Sequence, residues 1–317
     1  MEFNLLQYVF IFLMFACLTY LATPIFRLVA IKMKIFDKPG GRKLQKYAVP
    51  YLGGLAIIIP LVLAAVVFNF TYLPDFDQSE LIIGFLLPAV VIGAVGLFDD
   101  IYQLPAFPRF ISQSIVGLFT SYLLYVNNSG IQIFNNSLLN SLTTSLWIIG
   151  IINALNFIDN MDGLAVGVSL IAALGFFVIS FSNGQYLVAL LSAAITGSCL
   201  GFLFWNKNPA RIYMGDSGAL FLGFMLSAIS IRIDLKEANY IQIVLVPLLV
   251  LAIPFIDTTQ VIISRISRRV SPFTGGRDHI SHRLLQLGFD EKKAVYLIWL
   301  GSLVFTIMAI FISGVLN

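Results

Sequence analysis

The chain has 317 residues, 59% of them hydrophobic and only 11% charged, with a mean hydropathy of +0.92. That excludes a soluble globular domain, whose charged share is about a quarter. The net charge of +3 is small and its basic residues sit in short loops flanking apolar runs, which excludes a nucleic-acid surface and suits an anionic headgroup or substrate.

Apolar runs long enough to cross about 30 Å of hydrocarbon fall at roughly 5–30, 51–73, 81–98, 109–126, 138–155, 164–182, 186–205, 218–232, 241–263 and 294–315. They predict an all-α, polytopic membrane helix bundle of about ten transmembrane helices, one domain over 1–317 without a repeat or long linker. The first run follows Glu2 rather than a basic cluster and is too long for a signal peptide, so it reads as a retained helix. The run 218–232 is short and reads as a tilted or partly buried span. Cys17 and Cys199 lie inside apolar runs and read as buried thiols.

Loops 31–50, 99–108, 156–163, 206–217 and 264–293, with the residues at their edges, carry every Lys and Arg except Arg232 and Lys236. The positive-inside rule makes these loops cytoplasmic and puts both termini outside. The opposite loops are short, acidic at Asp75, Asp77 and Glu80, or rich in Asn and Ser over 127–141.

The polar clusters gather on that basic side, where a carboxylate at the edge of hydrocarbon is costly unless it has a partner or a task. Asp99-Asp100 follow the third run, at a helix C-terminus that disfavours negative charge. Close carboxylates there suit a metal or a base, against the plainer reading of a solvated helix end. Asn156, Asp159 and Asp162 recur every third residue before Gly163 and form a stripe if the fifth helix continues; the alternative is a loop stabilised by side-chain turns.

Gly215-Asp216-Ser217-Gly218 precedes an apolar helix, so Asp216 or Ser217 reads either as an N-cap or as part of a phosphate-binding helix start. The stretch from Ser271 to Arg283 holds the chain's two His, His279 and His282, with Arg277 and Arg283. Arg forks suit a diphosphate, and His can donate to it or bind metal. Gly40-Gly41-Arg42-Lys43 reads as a topology-setting basic loop, and Gly53-Gly54 as a point of close helix packing. Asp257 lies inside the ninth run, equally a partnered structural acid or a catalytic one.

The ordered set Gly-Leu-Phe-Asp99-Asp100, Asn156-Phe-Ile-Asp159-Asn-Met-Asp162-Gly163-Leu, Met-Gly215-Asp216-Ser217-Gly-Ala-Leu and Ser-Pro-Phe-x5-His279-x-x-His282-Arg283-Leu resembles the polyprenyl-phosphate N-acetylhexosamine-1-phosphate transferases, glycosyltransferase family 4. The likeness runs in order from about Asp37 to Leu287. The family includes enzymes that begin peptidoglycan, teichoic-acid and O-antigen synthesis. The resemblance implies that a polyprenyl (undecaprenyl) phosphate in the inner leaflet of a bacterial plasma membrane attacks the β-phosphate of a UDP-N-acetylhexosamine such as UDP-GlcNAc and releases UMP.

By the same resemblance Asp216, with Asn156, would hold Mg²⁺, for which Mn²⁺ could substitute. Asp159 and Asp162 would shape the nucleotide pocket; by charge alone, Lys43 with Arg277 and Arg283 would offset part of the repulsion among the carboxylates and phosphates. Arg277, His279, His282 and Arg283 would stabilise diphosphate charge. Asp99 and Asp100 would position or deprotonate the lipid phosphate, and positioning is favoured because a phosphate monoester loses its second proton near pH 6. A homodimer is left open. The chain departs from relatives at Ile101-Tyr102-Gln103, where some carry a third Asp, at Ser281 between the two His, and at Gln45. With no muropeptide-loop signature, these leave the reaction type intact and favour a UDP-N-acetylhexosamine or a modified deoxy sugar over UDP-MurNAc-pentapeptide. The rivals are a secondary transporter, whose acids belong near the midplane in paired repeats, and a lipid-phosphate phosphatase.

Overall fold

Backbone N–H and C=O groups in an apolar setting must be satisfied within the chain, and the long apolar runs meet this by folding as helices. The structure is a computed structural model that describes residues 4–37, 47–72, 85–127, 129–236, 238–271 and 276–315. Lys43, with Gly40, Gly41, Arg42 and Gln45, lies outside the described residues, as do Asp75, Asp77, Glu80 and the start of the run 81–98.

Among the described residues the helices are α1 (Leu5–Lys32), α2 (Gly53–Tyr72), α3 (Leu87–Tyr102), α4 (Ala106–Val126), α5 (Ser137–Ile158), α6 (Leu164–Ser182), α7 (Tyr186–Asn206), α8 (Gly215–Arg232), α9 (Tyr240–Val250), α10 (Ala252–Ser267), α11 (Ile280–Gln286) and α12 (Glu291–Ile312). The two-residue strands β1 (Phe36–Asp37) and β2 (Val49–Pro50) pair antiparallel, with Phe36 opposite Pro50. α1, α5, α6, α7 and α12 are each long and apolar enough to cross a membrane, and α9 with α10 makes a sixth if the bent pair is one span. The protein is therefore an all-α polytopic membrane protein, with fewer qualifying spans among the described residues than the ten apolar runs suggest.

α8 sits at the centre. It is buried all round from Gly215 to Ser230 except at Asp216, and it packs against α2, α3 and α5. A helix apolar on every face belongs inside a bundle, which accounts for the short run 218–232 better than lipid contact does. α1 lies at the edge on α7 and α2, burying only the face of Tyr8, Phe15, Thr19, Thr23 and Ala30. Cys17 consequently faces outward and is exposed, whereas Cys199 is buried.

Two local departures from the sequence reading have clear causes. The run 241–263 is broken by 80° between α9 and α10. Pro254 has no N–H to give the Val250 carbonyl and its ring crowds that carbonyl, so the helix stops and restarts at Leu251. The expected stripe of Asn156, Asp159 and Asp162 does not continue as helix either. α5 ends at Ile158, Asp159 is its C-cap, and Gly163 at φ +75° turns the chain into α6.

Candidate active site

The site forms where the C-terminal ends of α3 and α5 meet the N-terminal ends of α4 and α8. Nothing in its own sequence caps α8: Met214 stands at the N-cap with no side-chain bond. The Asp100 carboxylate does it from α3, accepting the backbone N–H of Asp216 at 2.7 Å and of Ser217 at 3.1 Å. Its charge, disfavoured at the end of α3, sits against the positive end of α8. This contact needs close backbone approach, since a methyl group at Gly54 or Gly96 would overlap the backbone of Gly218 or Asp216.

Asp99 and Asp216 are joined by a residue the sequence reading passed over. Arg109, near the start of α4, donates from Nη1 to Asp99 Oδ2 at 2.7 Å and to Asp216 Oδ2 at 2.8 Å. Asp99 Oδ1 also accepts the Leu104 N–H at 2.6 Å, and Asn156 Nδ2 donates to Asp216 Oδ1 at 2.8 Å. Asp99, Asp100, Asn156 and Asp216 thus come together from separate parts of the chain. The signal for Arg109 was available: it is the one cation at the edge of the loop that begins with the acid pair.

Asp162 faces the segment before α8. Its Oδ2 accepts from the Ala210 N–H at 2.8 Å and from Asn208 Nδ2 at 3.2 Å. Beside it a cavity of about 210 Å³ is lined by Asp162, Lys207, Asn208, Lys292, Tyr296 and Trp299. Asn160, between the two acids, accepts the Ser281 hydroxyl at 2.6 Å and ties this loop to α11.

The His loop is anchored from α10. Asp257 is buried, with Oδ2 at 2.7 Å from His279 Nδ1 and Oδ1 accepting the Ile280 N–H at 2.7 Å. His282 is also buried, its ring 6.2 Å from that of His279. Asp278 takes two bonds from Arg265, both 2.9 Å, and one from Arg268 at 2.8 Å. Arg277 and Arg283 are exposed at the rim, with Arg283 Nε donating to the Asp278 carbonyl at 3.3 Å.

The acids at the centre lie beyond the predicted spans, and their surroundings disfavour charge. Burial, then the neighbouring Asp216 and Asp162, pushes Asp159 up to about 8. Burial also raises Asp162, Asp100 and Asp216, the last further through Asp99. Asp278 moves the other way, to about 2, held by its hydrogen bonds from Arg265. Burial, with His279 and Arg277 nearby, lowers His282.

Such a group of acids favours a cation. Among the described residues no three His, Cys, Asp or Glu side chains stand together as a ready metal cage. Mg²⁺ does not require one, since it is commonly held by one or two carboxylates with substrate and water oxygens. Asp216 and Asp99, both already turned onto the Arg109 cation, with the Asn156 amide beside them, fit that hard-oxygen pattern.

Residues 82–234 match Glycosyl transferase family 4. The chain is 35% identical over 301 residues to a probable undecaprenyl-phosphate N-acetylglucosaminyl 1-phosphate transferase of Bacillus subtilis, covering 92% of this chain and 81% of the relative. The chain belongs to this family. Over 326 residues it is also 34% identical to a decaprenyl-phosphate N-acetylglucosaminephosphotransferase of Mycolicibacterium smegmatis, covering 92% and 79%. A phospho-N-acetylmuramoyl-pentapeptide-transferase of Streptococcus equi subsp. zooepidemicus is 34% identical over 238 residues, covering 68% and 70%. As a member of family 4 the chain is a membrane-bound sugar-phosphate transferase.

Proposed function

We propose that the chain transfers N-acetylhexosamine 1-phosphate from a UDP-N-acetylhexosamine to polyprenyl phosphate at the cytoplasmic face of a bacterial plasma membrane, as the first membrane step of an envelope polysaccharide. A phosphate oxygen of the lipid bonds to the β-phosphorus, the bond from that phosphorus to the α-phosphate oxygen breaks, and UMP leaves. The reading rests on one arrangement above all: Asp99, Asp216, Asn156 and Arg109 converge at one end of the bundle. Transporter acids would be expected deeper, near the midplane. The N-acetylglucosamine relatives cover 92% of the chain against 68% for the muramoyl-pentapeptide relative, which favours a plain N-acetylhexosamine donor.

Phosphoryl transfer needs little covalent help and much charge control. Asp216 and Asn156, with Asp99 close by, are the residues that would hold Mg²⁺. A divalent ion held there would supply positive charge against the diphosphate. Arg109, between Asp99 and Asp216, supplies positive charge for the lipid phosphate. Asp100 sets the position of Asp216 through the helix start. Asp159 and Asp162 border the nucleotide, while the buried His279 and His282 and the exposed Arg277 and Arg283 meet the diphosphate. Incubation of purified protein with polyprenyl phosphate, Mg²⁺ and a panel of UDP-sugars tests the reading. UMP release with UDP-N-acetylhexosamines is expected, and no lipid-dependent UMP from any donor rules it out.

A further inference from the structure

The buried Asp257 has a geometry that packing alone does not require. One oxygen takes the first backbone N–H of α11, from Ile280, and the other faces His279 Nδ1, each at 2.7 Å. With Nδ1 donating to this oxygen, Nε2 is the ring nitrogen free of Asp257, and it donates as well when the ring carries both protons. The rest of the imidazole is confined: His279 is itself buried, and its ring meets Phe157, on the last turn of α5, edge-on at 6.2 Å. Phe157 follows Asn156, which touches Asp216. Ser281, two residues on from His279, is bonded to Asn160 in the adjoining loop. The ring is thus held by α10 on one side and by the end of α5 on the other.

We propose that Asp257 is a positioning residue that acts through His279, accepting Nδ1–H of the doubly protonated ring so that Nε2–H is aimed at the diphosphate of the nucleotide sugar. The proposal rests on the reading that His279 serves that diphosphate. Asp257 touches no reacting atom. Its two oxygens make the helix start and the ring orientation one unit, so the His loop cannot settle with the imidazole turned away.

The chain has two His, so ring-¹⁵N-histidine labelling of the purified protein yields two imidazole signals, assigned with His282→Gln. His279 is expected to show both ring nitrogens protonated, with Nδ1 hydrogen-bonded. Asp257→Asn keeps an oxygen for the Ile280 N–H but can present an amide N–H to the ring. It is expected to leave His279 neutral, with Nδ1 accepting and Nε2 alone protonated, and, because the ring's positive charge is lost, to lower kcat for UMP release about 10- to 100-fold, with KM within about twofold. Asp257→Glu, which restores a carboxylate, is expected to recover part of both. An unchanged His279 signal, or normal kcat in Asp257→Asn while His279→Gln is impaired, overturns the proposal alone. Full activity in His279→Gln overturns the diphosphate role of His279 and this proposal with it.

Discussion

The side chain of Asp100 caps the helix that begins at Asp216, accepting that residue's backbone N–H at 2.7 Å. Two neighbouring acids on α3 therefore face different tasks, Asp99 toward a cation and Asp100 toward a helix end. Asp100→Asn should lower stability by ~1–3 kcal/mol, since an amide N–H then faces a backbone N–H and the charge at the helix start is lost. Thermal unfolding in detergent measures this. Stability equal to wild type would remove Asp100 from the capping role.

Arg109 offsets the repulsion between Asp99 and Asp216. Arg109→Gln should therefore lower the unfolding temperature in EDTA more than in Mg²⁺, because a divalent ion can supply the missing positive charge. The comparison needs four melting curves, wild type and variant under both conditions. An equal drop in both would assign Arg109 to packing alone.

Activity should vanish with EDTA and return with Mg²⁺ or Mn²⁺. Asp216→Asn should cut turnover by orders of magnitude while leaving the fold nearly intact, because shape is kept and charge is lost. UMP release at limiting Mg²⁺ is the measurement. Near-normal rates in the variant would move the metal assignment to Asp99.

Hydrogen bonds from Arg265 hold the Asp278 carboxyl down at about 2, below the usual carboxylate range. A lowered carboxylate contributes stability that is fully present above its unfolded value and is lost as pH falls through the folded value. Wild type should thus lose this contribution between about pH 4 and about pH 2, and Asp278→Asn should lack that step. Unfolding curves across this range distinguish them; identical acid profiles would deny the Arg265 clamp any role in stability.

The charge map sets a topology that labelling can check. In a background lacking Cys17 and Cys199, an impermeant thiol reagent added to intact cells should modify Asn135→Cys but not Arg268→Cys, both exposed positions. The reverse pattern would invert the protein in the membrane.

Much of this architecture is legible in the chain because acids are scarce in an apolar sequence, and each cluster that stands out falls at a helix end. The meeting of Asp99, Asn156 and Asp216 is anticipated by their shared side of the charge map. The role of Arg109 is not, since it depends on α4 starting close beside the end of α3. Nor is the capping by Asp100, because helix caps are normally sought within a few residues and this one comes from 116 positions away. The supposed polar stripe fails where Gly163 turns the chain, a backbone effect that side-chain spacing does not register. Asp257 was legible as an acid but not as the partner of His279, which lies 22 residues later.

The bend at Leu251 also decides how the chain uses its length. A straight continuation would carry the 16 residues of α10, roughly 24 Å of helix, onward along the axis of α9. Turned by 80°, the same residues run crosswise and pack against α5, so Asp257 and Arg265 reach toward the end that holds Asn156. One missing N–H at Pro254 thereby converts a stretch of sequence with the composition of a membrane span into a crossbeam over the site.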